Sequence, residues 1–328
     1  MSELRELLTT QLDRLLAAHP VLRAVEAGEW PAALWAEAEA LGLGLALVPE
    51  GQGGVGLSWG DAAAVWQVLG RHGAPLPLGE QMLAARLLAE GGMEAPDGLL
   101  ALALAGGPAP WGRHAAWVVA VEGARVALLP AGDVVPGTNL GREPRDRLGA
   151  AAPAARGLLP DGRLAPLGLA LLRAAQVAGA LEAVLALAVD WANTRKQFGR
   201  PIGKFQAVQQ QLAAMAGEVA LAGVAVAAAA RAADARGLAG AEFEVACAKV
   251  VAGEAATLGA ATAHQVFAAI GITEDHALHH LTRRLWSWRE EGGTERAWAT
   301  EAGRLAMGWG GHGLWAGLTA RDVTEEGR

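Results

Sequence analysis

Along the first ninety residues the apolar side chains recur at helical spacing. Leu4, Leu7, Leu8, Leu12, Leu15 and Leu16 fall on one stripe. Pro31, a residue favoured in a first helical turn, is expected to open a second helix that closes near Gly42. Ser58 with Asp61 has the form of a capping box, and the helix it starts is expected to reach about Arg71. Pro75 and Pro77 then break the chain, and a short helix over 80–89 ends at Gly91-Gly92. From there the period shortens. Leu99 to Leu104 is a compact apolar run, and Trp117–Val121 and Arg125–Leu129 flank Glu122-Gly123 as the arms of a β-hairpin. Beyond Leu167 the pattern returns to helix and is apolar almost all round, which predicts helices over 167–194, 205–236, 241–270, 273–290 and 294–307. Helices with so little polar face must be buried on several sides, in a bundle and against another subunit. The expected fold is mainly α: a helical domain over 1–97, a small β-rich module over 98–165 and a helical bundle over 166–328. No fixed period marks the chain as a repeat protein.

Composition narrows the function. Hydrophobic residues make up 52% of the 328, enough for a large core, and the abundance of alanine favours close helix packing. Tyrosine is absent while tryptophan occurs 12 times, as large packing anchors. A formal charge of −7 argues against a nucleic-acid partner, because phosphate neutralisation needs a basic surface. Cys247 stands alone in an apolar run and reads as a small core residue. The charged start, Met1-Ser-Glu-Leu-Arg-Glu6, does not look like a secretory signal, and the longest uninterrupted apolar run, Val219 to Ala230, is short for a bilayer. A soluble cytoplasmic protein with no membrane partner is expected.

Several motifs carry possible chemistry. Gly51-Gln-Gly-Gly-Val-Gly56 fits the dinucleotide turn G-x-G-x-x-G, but no βαβ context surrounds it, so a plain loop is the better reading. Gly56-Leu-Ser-Trp-Gly60 fits the nucleophile elbow of serine hydrolases; lacking a preceding strand, Ser58 reads first as a helix cap and only distantly as a nucleophile. His276, His279 and His280 have spacings that can gather a metal, yet Arg283 and Arg284 beside them would oppose a cation. Surface or interface histidines, and no metal, are expected. The most informative stretch is Arg195-Lys-Gln-Phe-Gly-Arg-Pro-Ile-Gly-Lys-Phe-Gln206. This cationic, glycine-bearing elbow between two buried helices is suited to an anionic ligand.

That elbow, as R-x-Q-F-G-x-P-I-x-x-F-Q, resembles the flavin-contacting loop of the acyl-CoA dehydrogenase family. His264-Gln-Val-Phe-Ala-Ala-Ile-Gly-Ile-Thr-Glu-Asp-His276, followed by Leu278-His-His-Leu-Thr-Arg-Arg284, resembles the family's second flavin motif. Leu34–Leu43 and the Pro-Glu-Gly-Gln-Gly-Gly-Val-Gly56 loop are similar to its opening helix and glycine loop. The three matches occur in family order and span most of the chain. The resemblance implies FAD as cofactor and α,β-dehydrogenation of an acyl-CoA thioester, in which a carboxylate takes the α-proton and the β-hydrogen leaves as hydride to the flavin. It implies that Arg195 meets the FAD diphosphate and Phe198 packs on the cofactor of a neighbouring subunit. Gln265 and Gly271 would line the same diphosphate region, and Thr294 would be a flavin contact. The chain would be a homo-oligomer or pair with a related subunit, and electrons would pass to an electron-transferring flavoprotein.

The resemblance also exposes departures. Ala268 and Ala269 stand where the family has a glycine pair, and a Cβ there crowds a closely approaching cofactor. The middle module lacks the T-E-P-x-A-G-S-D-like segment that holds the flavin ring. The family's catalytic Glu, just before G-T, falls on Gly292 of Gly292-Gly-Thr294, which leaves the adjacent Glu291 as the candidate base. An alternative follows: a non-catalytic partner that completes the flavin site of a related chain carrying the base.

Overall fold

Ser58 and Thr294 cap the helices that follow them through their side-chain oxygens, and Pro31 and Pro77 stand at the starts of two others. The computed structural model describes residues 3–320. Its amino-terminal helices are α1 (Glu3–Ala18), α2 (Leu22–Glu26), α3 (Ala32–Ala40), α4 (Trp59–Arg71) and α5 (Leu78–Glu90). The bundle consists of α6 (Leu164–Thr194), α7 (Gln206–Arg236), α8 (Glu242–Phe267), α9 (Leu278–Glu290), α10 (Glu295–Gly308) and α11 (Gly310–Thr319). Of the first stripe, Leu8, Leu12 and Leu16 enter the core, while Leu4 and Leu7 face solvent.

Between the helical parts lie β1 (Leu100–Leu104), β2 (Ala109–Pro110), β3 (Trp117–Glu122), β4 (Arg125–Pro130), β5 (Val134–Val135), β6 (Arg145–Leu148) and β7 (Ala155–Leu158). One sheet runs β1-β3-β4-β7 and a smaller one β2-β6-β5. β3 and β4 form the expected hairpin, with Glu122 opposite Arg125, and β1 joins β3 in parallel. The smaller sheet is pinned by Asp146, which is fully buried and accepts the Arg113 and Gly137 amides at 2.8 and 3.1 Å as well as the Arg113 guanidinium at 2.6 Å.

α4 ties the amino-terminal part to the bundle. Ser58 Oγ accepts the Asp61 amide at 3.0 Å, and Asp234 of α7 accepts those of Trp59 and Gly60 at 2.6 and 3.0 Å. The helix end is thus capped from two sides. Among the described residues no imidazole pairs with Ser58, so the hydroxyl has a cap's environment and lacks a nucleophile's base. Further along, α4 and α6 touch backbone to backbone. A Cβ on Gly70 would lie 2.0 Å from the Gln176 carbonyl oxygen, and one on Gly179 would lie 1.9 Å from that of Gln67. Only glycine permits this approach. The Gly51–Gly56 loop folds back through Gly56 N–H to Val48 O at 2.8 Å and is no dinucleotide turn, since no strand precedes it.

Several expectations need correction. The helix placed from 273 starts only at Leu278, because 273–277 form turns and His276 Nδ1 accepts the Leu278 amide at 3.1 Å. α8 stops at Phe267, where Ala268 takes φ +55°. The short helices α2 and α11 escaped periodicity. His279 and His280 are buried rather than superficial. Judging bilayer length from uninterrupted runs also misled: α6, α7 and the 239–271 segment are long and apolar enough to cross a membrane, because isolated polar residues break the run without breaking the helix. Here they pack on one another and on α4 and α9. α7 is the least covered, with Leu221 and Val224 exposed.

A buried ionic network joins the three parts. Glu26, at the end of α2, accepts Arg284 Nη1 at 2.6 Å, pairs with His280 Nδ1 at 2.9 Å, and is also bonded by Arg283. Glu143, beside β6, receives Asn139 at 2.8 Å, Trp288 Nε1 at 3.0 Å and Arg145 at 3.1 Å. Burial would raise the Glu26 carboxyl, but the bonds from His280 and Arg284 outweigh it and bring it from 4.5 down to about 2. Because the folded value lies below the unfolded one, this stabilisation is full above pH 4.5 and is lost as pH falls towards 2. Glu26→Gln leaves Arg283 without its carboxylate and Arg284 with only Glu143, at 3.7 Å. It should cost about 3–5 kcal/mol and flatten the acid limb of a denaturant-unfolding profile measured from pH 5 to 2.

Candidate functional site

Three residues downstream of Trp191, α6 ends and the chain makes a two-residue hairpin between β8 (Lys196–Gln197) and β9 (Arg200–Pro201). Its central residues, Phe198 and Gly199, have φ of +49° and +77°, the pattern of a type I′ turn. Glycine adopts this freely and phenylalanine does not. The strained Phe198 is 91% exposed, touching Phe205 edge-on at 6.1 Å, while the Arg200 guanidinium lies 4.3 Å over the Phe205 ring. Among the described residues Arg195, Lys196, Arg200 and Lys204 have no carboxylate partner, so the elbow carries an uncompensated positive field.

Beside the hairpin runs a groove of about 850 Å³. Arg195, Gln197 and Phe198 form one wall, Gln265 and 266–270 the other, and Trp191 and Phe267, stacked at 5.0 Å and 17°, the aromatic floor. Arg195, Phe198 and Gln265, of which the last is far from the others in sequence, share one groove. Two cationic and amide walls over an aromatic floor suit an anionic diphosphate attached to a flat ring system. Gly271 is not part of the lining. It is buried below the groove, where a Cβ would meet Phe267 Cβ at 2.7 Å, so its part is packing at the α8–α9 corner. Ala268 lines the groove at φ +55° and ψ −143°, a region that belongs to glycine. An alanine thus holds a glycine's conformation at a position where the resemblance sets a glycine.

Thr294 and Glu291 lie elsewhere. Thr294 Oγ1 accepts the Ala297 amide at 3.2 Å and caps α10. Glu291 lines a separate cavity of about 270 Å³ between β1, α6 and the end of α9. Its apolar wall includes Leu102, Leu104, Pro108, Pro110 and Leu169, and its polar wall is Glu80, Arg145, Arg173 and Glu291. Arg145 grips Glu291 with Nε and Nη2, both at 2.8 Å. Arg173 Nη2 reaches it at 2.7 Å and Asn139 Nδ2 at 2.9 Å. Burial alone would raise the Glu291 carboxyl, but Arg145 and then Arg173 pull it down to about 2. Arg173 also binds Glu80 at 2.7 Å. Lys249 completes the frame: its ammonium donates to the Arg289 carbonyl at 2.5 Å at the end of α9, and burial lowers it to about 8.

A side chain at 292 would be strained and crowded. Gly292 has φ +70°, and a Cβ would stand 3.2 Å from the Ala170 amide nitrogen and the Leu169 carbonyl carbon. Nor does the cavity's β-module wall suit a flavin ring. Pro108 and Pro110 have no N–H, while the Ala105, Gly107 and Trp111 amides are spent on Val121, Leu104 and Pro144. The groove therefore fits a flavin diphosphate and the cavity does not fit the ring. Periodicity could not single out Arg145, Arg173 and Glu80, since a buried ion pair and a solvated one read alike in sequence. Trp191, one helical turn before Arg195, could have been found by spacing.

Residues 2–96 match the family model "Acyl-CoA dehydrogenase, N-terminal domain" and residues 169–307 the "Acyl-CoA dehydrogenase, C-terminal domain". Acyl-CoA dehydrogenase IpdE2 of Mycobacterium tuberculosis is 31% identical over 299 residues, covering 86% of this chain and 91% of that protein. Among solved structures, the ChsE4-ChsE5 complex of Mycobacterium tuberculosis superimposes with a TM-score of 0.78 at 25% identity, covering 93% of this chain and 97% of that one. Butyryl-CoA dehydrogenase of Megasphaera elsdenii does so at 0.81 and 20%, covering 94% and 99%, a likeness of fold. The strain at Ala268 yields a direct expectation. Ala268→Gly relieves a dihedral cost that exceeds the entropy glycine adds to the unfolded chain. It should stabilise the protein by about 1 kcal/mol in chemical denaturation.

Proposed function

Since the chain belongs to the acyl-CoA dehydrogenase family, a family of flavin-dependent oxidoreductases, we propose that it lends its Arg195 groove to an FAD shared across a subunit boundary, in a hetero-oligomer whose related subunit supplies the catalytic base. The family reaction removes the α-proton of an acyl-CoA thioester and transfers the β-hydrogen as hydride. When bound, the flavin supplies the hydride acceptor. From this chain, the Arg195 guanidinium and the Gln265 amide would hold the diphosphate, and the exposed Phe198 would pack on the cofactor from the hairpin tip. The apolar face of α7 around Leu221 and Val224 offers surface for the second subunit, and an electron-transferring flavoprotein is the expected acceptor.

The observation that carries the hetero-oligomeric reading is the grip of Arg145 and Arg173 on Glu291. A general base works best with a pKa near the operating pH. A carboxylate held at about 2 by two guanidiniums is a weak one. To receive a proton it would first have to break the bonds that anchor the end of α9. Position 292, where the family's Glu would fall, is a glycine at φ +70°, and a Cβ there would press on the α6 backbone. The related ChsE4-ChsE5 complex, two different chains together, supports the same arrangement.

Two substitutions test the reading. In the oligomer reconstituted with its related subunit, Arg195→Ala should lower bound FAD by about tenfold, read as flavin absorbance per complex. Glu291→Gln should lower the melting temperature yet leave turnover of acyl-CoA within about twofold, because no proton passes through it. A folded, FAD-loaded Glu291→Gln complex that has lost turnover makes Glu291 the base after all.

A further inference from the structure

The β module carries a hollow that neither the Arg195 groove nor the Glu291 cavity accounts for. One row of paired residues, Ala103–Ala120–Ala127–Arg156, crosses β1, β3, β4 and β7, and three of its four positions are alanine. Strand faces favour β-branched and aromatic side chains, so an alanine row leaves the sheet low there. The neighbouring row, Ala101–Val118–Leu129, packs under Ala109 and Leu148 of the smaller sheet. Towards the β3–β4 turn that cover ends. Ala120 and Ala127 are half-buried, and Leu158 of β7 is 71% exposed. Together they line an open groove of about 840 Å³. Small-molecule sites commonly fall in the range of about 300–1,000 Å³, mostly apolar with a few polar groups. Leu102 and Leu104, which alternate with Ala103 along β1, line the Glu291 cavity instead, and no residue is common to the two hollows.

Charge decides what the groove accepts. Its charged residues are Glu122, Arg125 and Arg156. Glu122 and Arg125 stand opposite each other in the hairpin and pair at 2.8 Å. Arg156 is exposed on the alanine face and has no carboxylate partner among the described residues. One uncompensated guanidinium thus overlooks an apolar floor. An ammonium would be repelled by it, and a neutral head would leave its charge unanswered. A dianion would set its second charge against Glu122. A single carboxylate matches the guanidinium fork and adds no surplus charge, while an aliphatic tail covers the floor. We propose that this groove binds an aliphatic monocarboxylate, its head on Arg156 and its chain along Ala120 and Ala127. The proposal is independent of the flavin groove and of turnover, since it shares no residue with either site.

Isothermal titration of the full-length protein with octanoate, octanol and octylammonium tests it. Octanoate should bind about fivefold more tightly than octanol, the worth of one solvent-exposed ion pair, and octylammonium more weakly than either. Arg156→Gln should weaken octanoate binding by about the same fivefold and erase the preference over octanol. Ala127→Trp, which raises the floor without touching a charge, should abolish binding, with folding checked by the melting curve. If that variant does not fold, Arg156→Gln at its exposed position decides. Octanol or octylammonium matching octanoate, a folded Arg156→Gln with unchanged octanoate affinity, octanoate binding that survives in a folded Ala127→Trp, or no octanoate binding below its micelle-forming concentration overturns the proposal.

Discussion

The burial of opposite charges at one junction is the constraint on which the rest of this molecule depends. Glu26, Glu80, Glu143 and Glu291 are set against Arg145, Arg173, Arg283 and Arg284, and these side chains come from α2, α5, the β6 region, α6 and α9. Each buried charge is tolerable only because another element delivers its partner. The amino-terminal helices, the β module and the bundle are therefore fixed in position by electroneutrality as much as by apolar packing. The same requirement sets Glu291 against the guanidiniums of Arg145 and Arg173, which favours its charged form.

The groove near Arg195 follows the opposite rule. Its cations are exposed and unbalanced, its turn is strained at Phe198, and its wall is strained at Ala268. Strain and uncompensated charge persist where binding, and not stability, sets the sequence. Internal neutrality at the Glu291 cavity and external charge at the groove set a closed frame beside an open, cationic surface.

Much of the fold was legible because the bundle helices are long and strongly patterned, and the β3–β4 hairpin carries its own turn residues. The end of α8 and the start of α9 were not: the first depends on Ala268 adopting a conformation that its identity does not advertise, the second on the turns over 273–277. In the site, Arg195, Phe198 and Gln265 were readable as a motif, and the fold unites them. Gly271 and Thr294 were readable only by position. The former packs a corner and the latter caps α10, roles that become visible only when neighbouring helices are in place. The partners of Glu291 come from 118 to 152 residues away (291 − 173 and 291 − 139), and no local pattern announces such a pairing.

The contact of α4 with α6 limits how this protein can move. With Gly70 and Gly179 bringing backbone onto backbone, a helix cannot slide by a fraction of a turn without driving a carbonyl oxygen into a main-chain atom. Shear is closed to this interface. The amino-terminal helices and the bundle must travel as a single body at this contact, so an opening of the clefts falls to the β module.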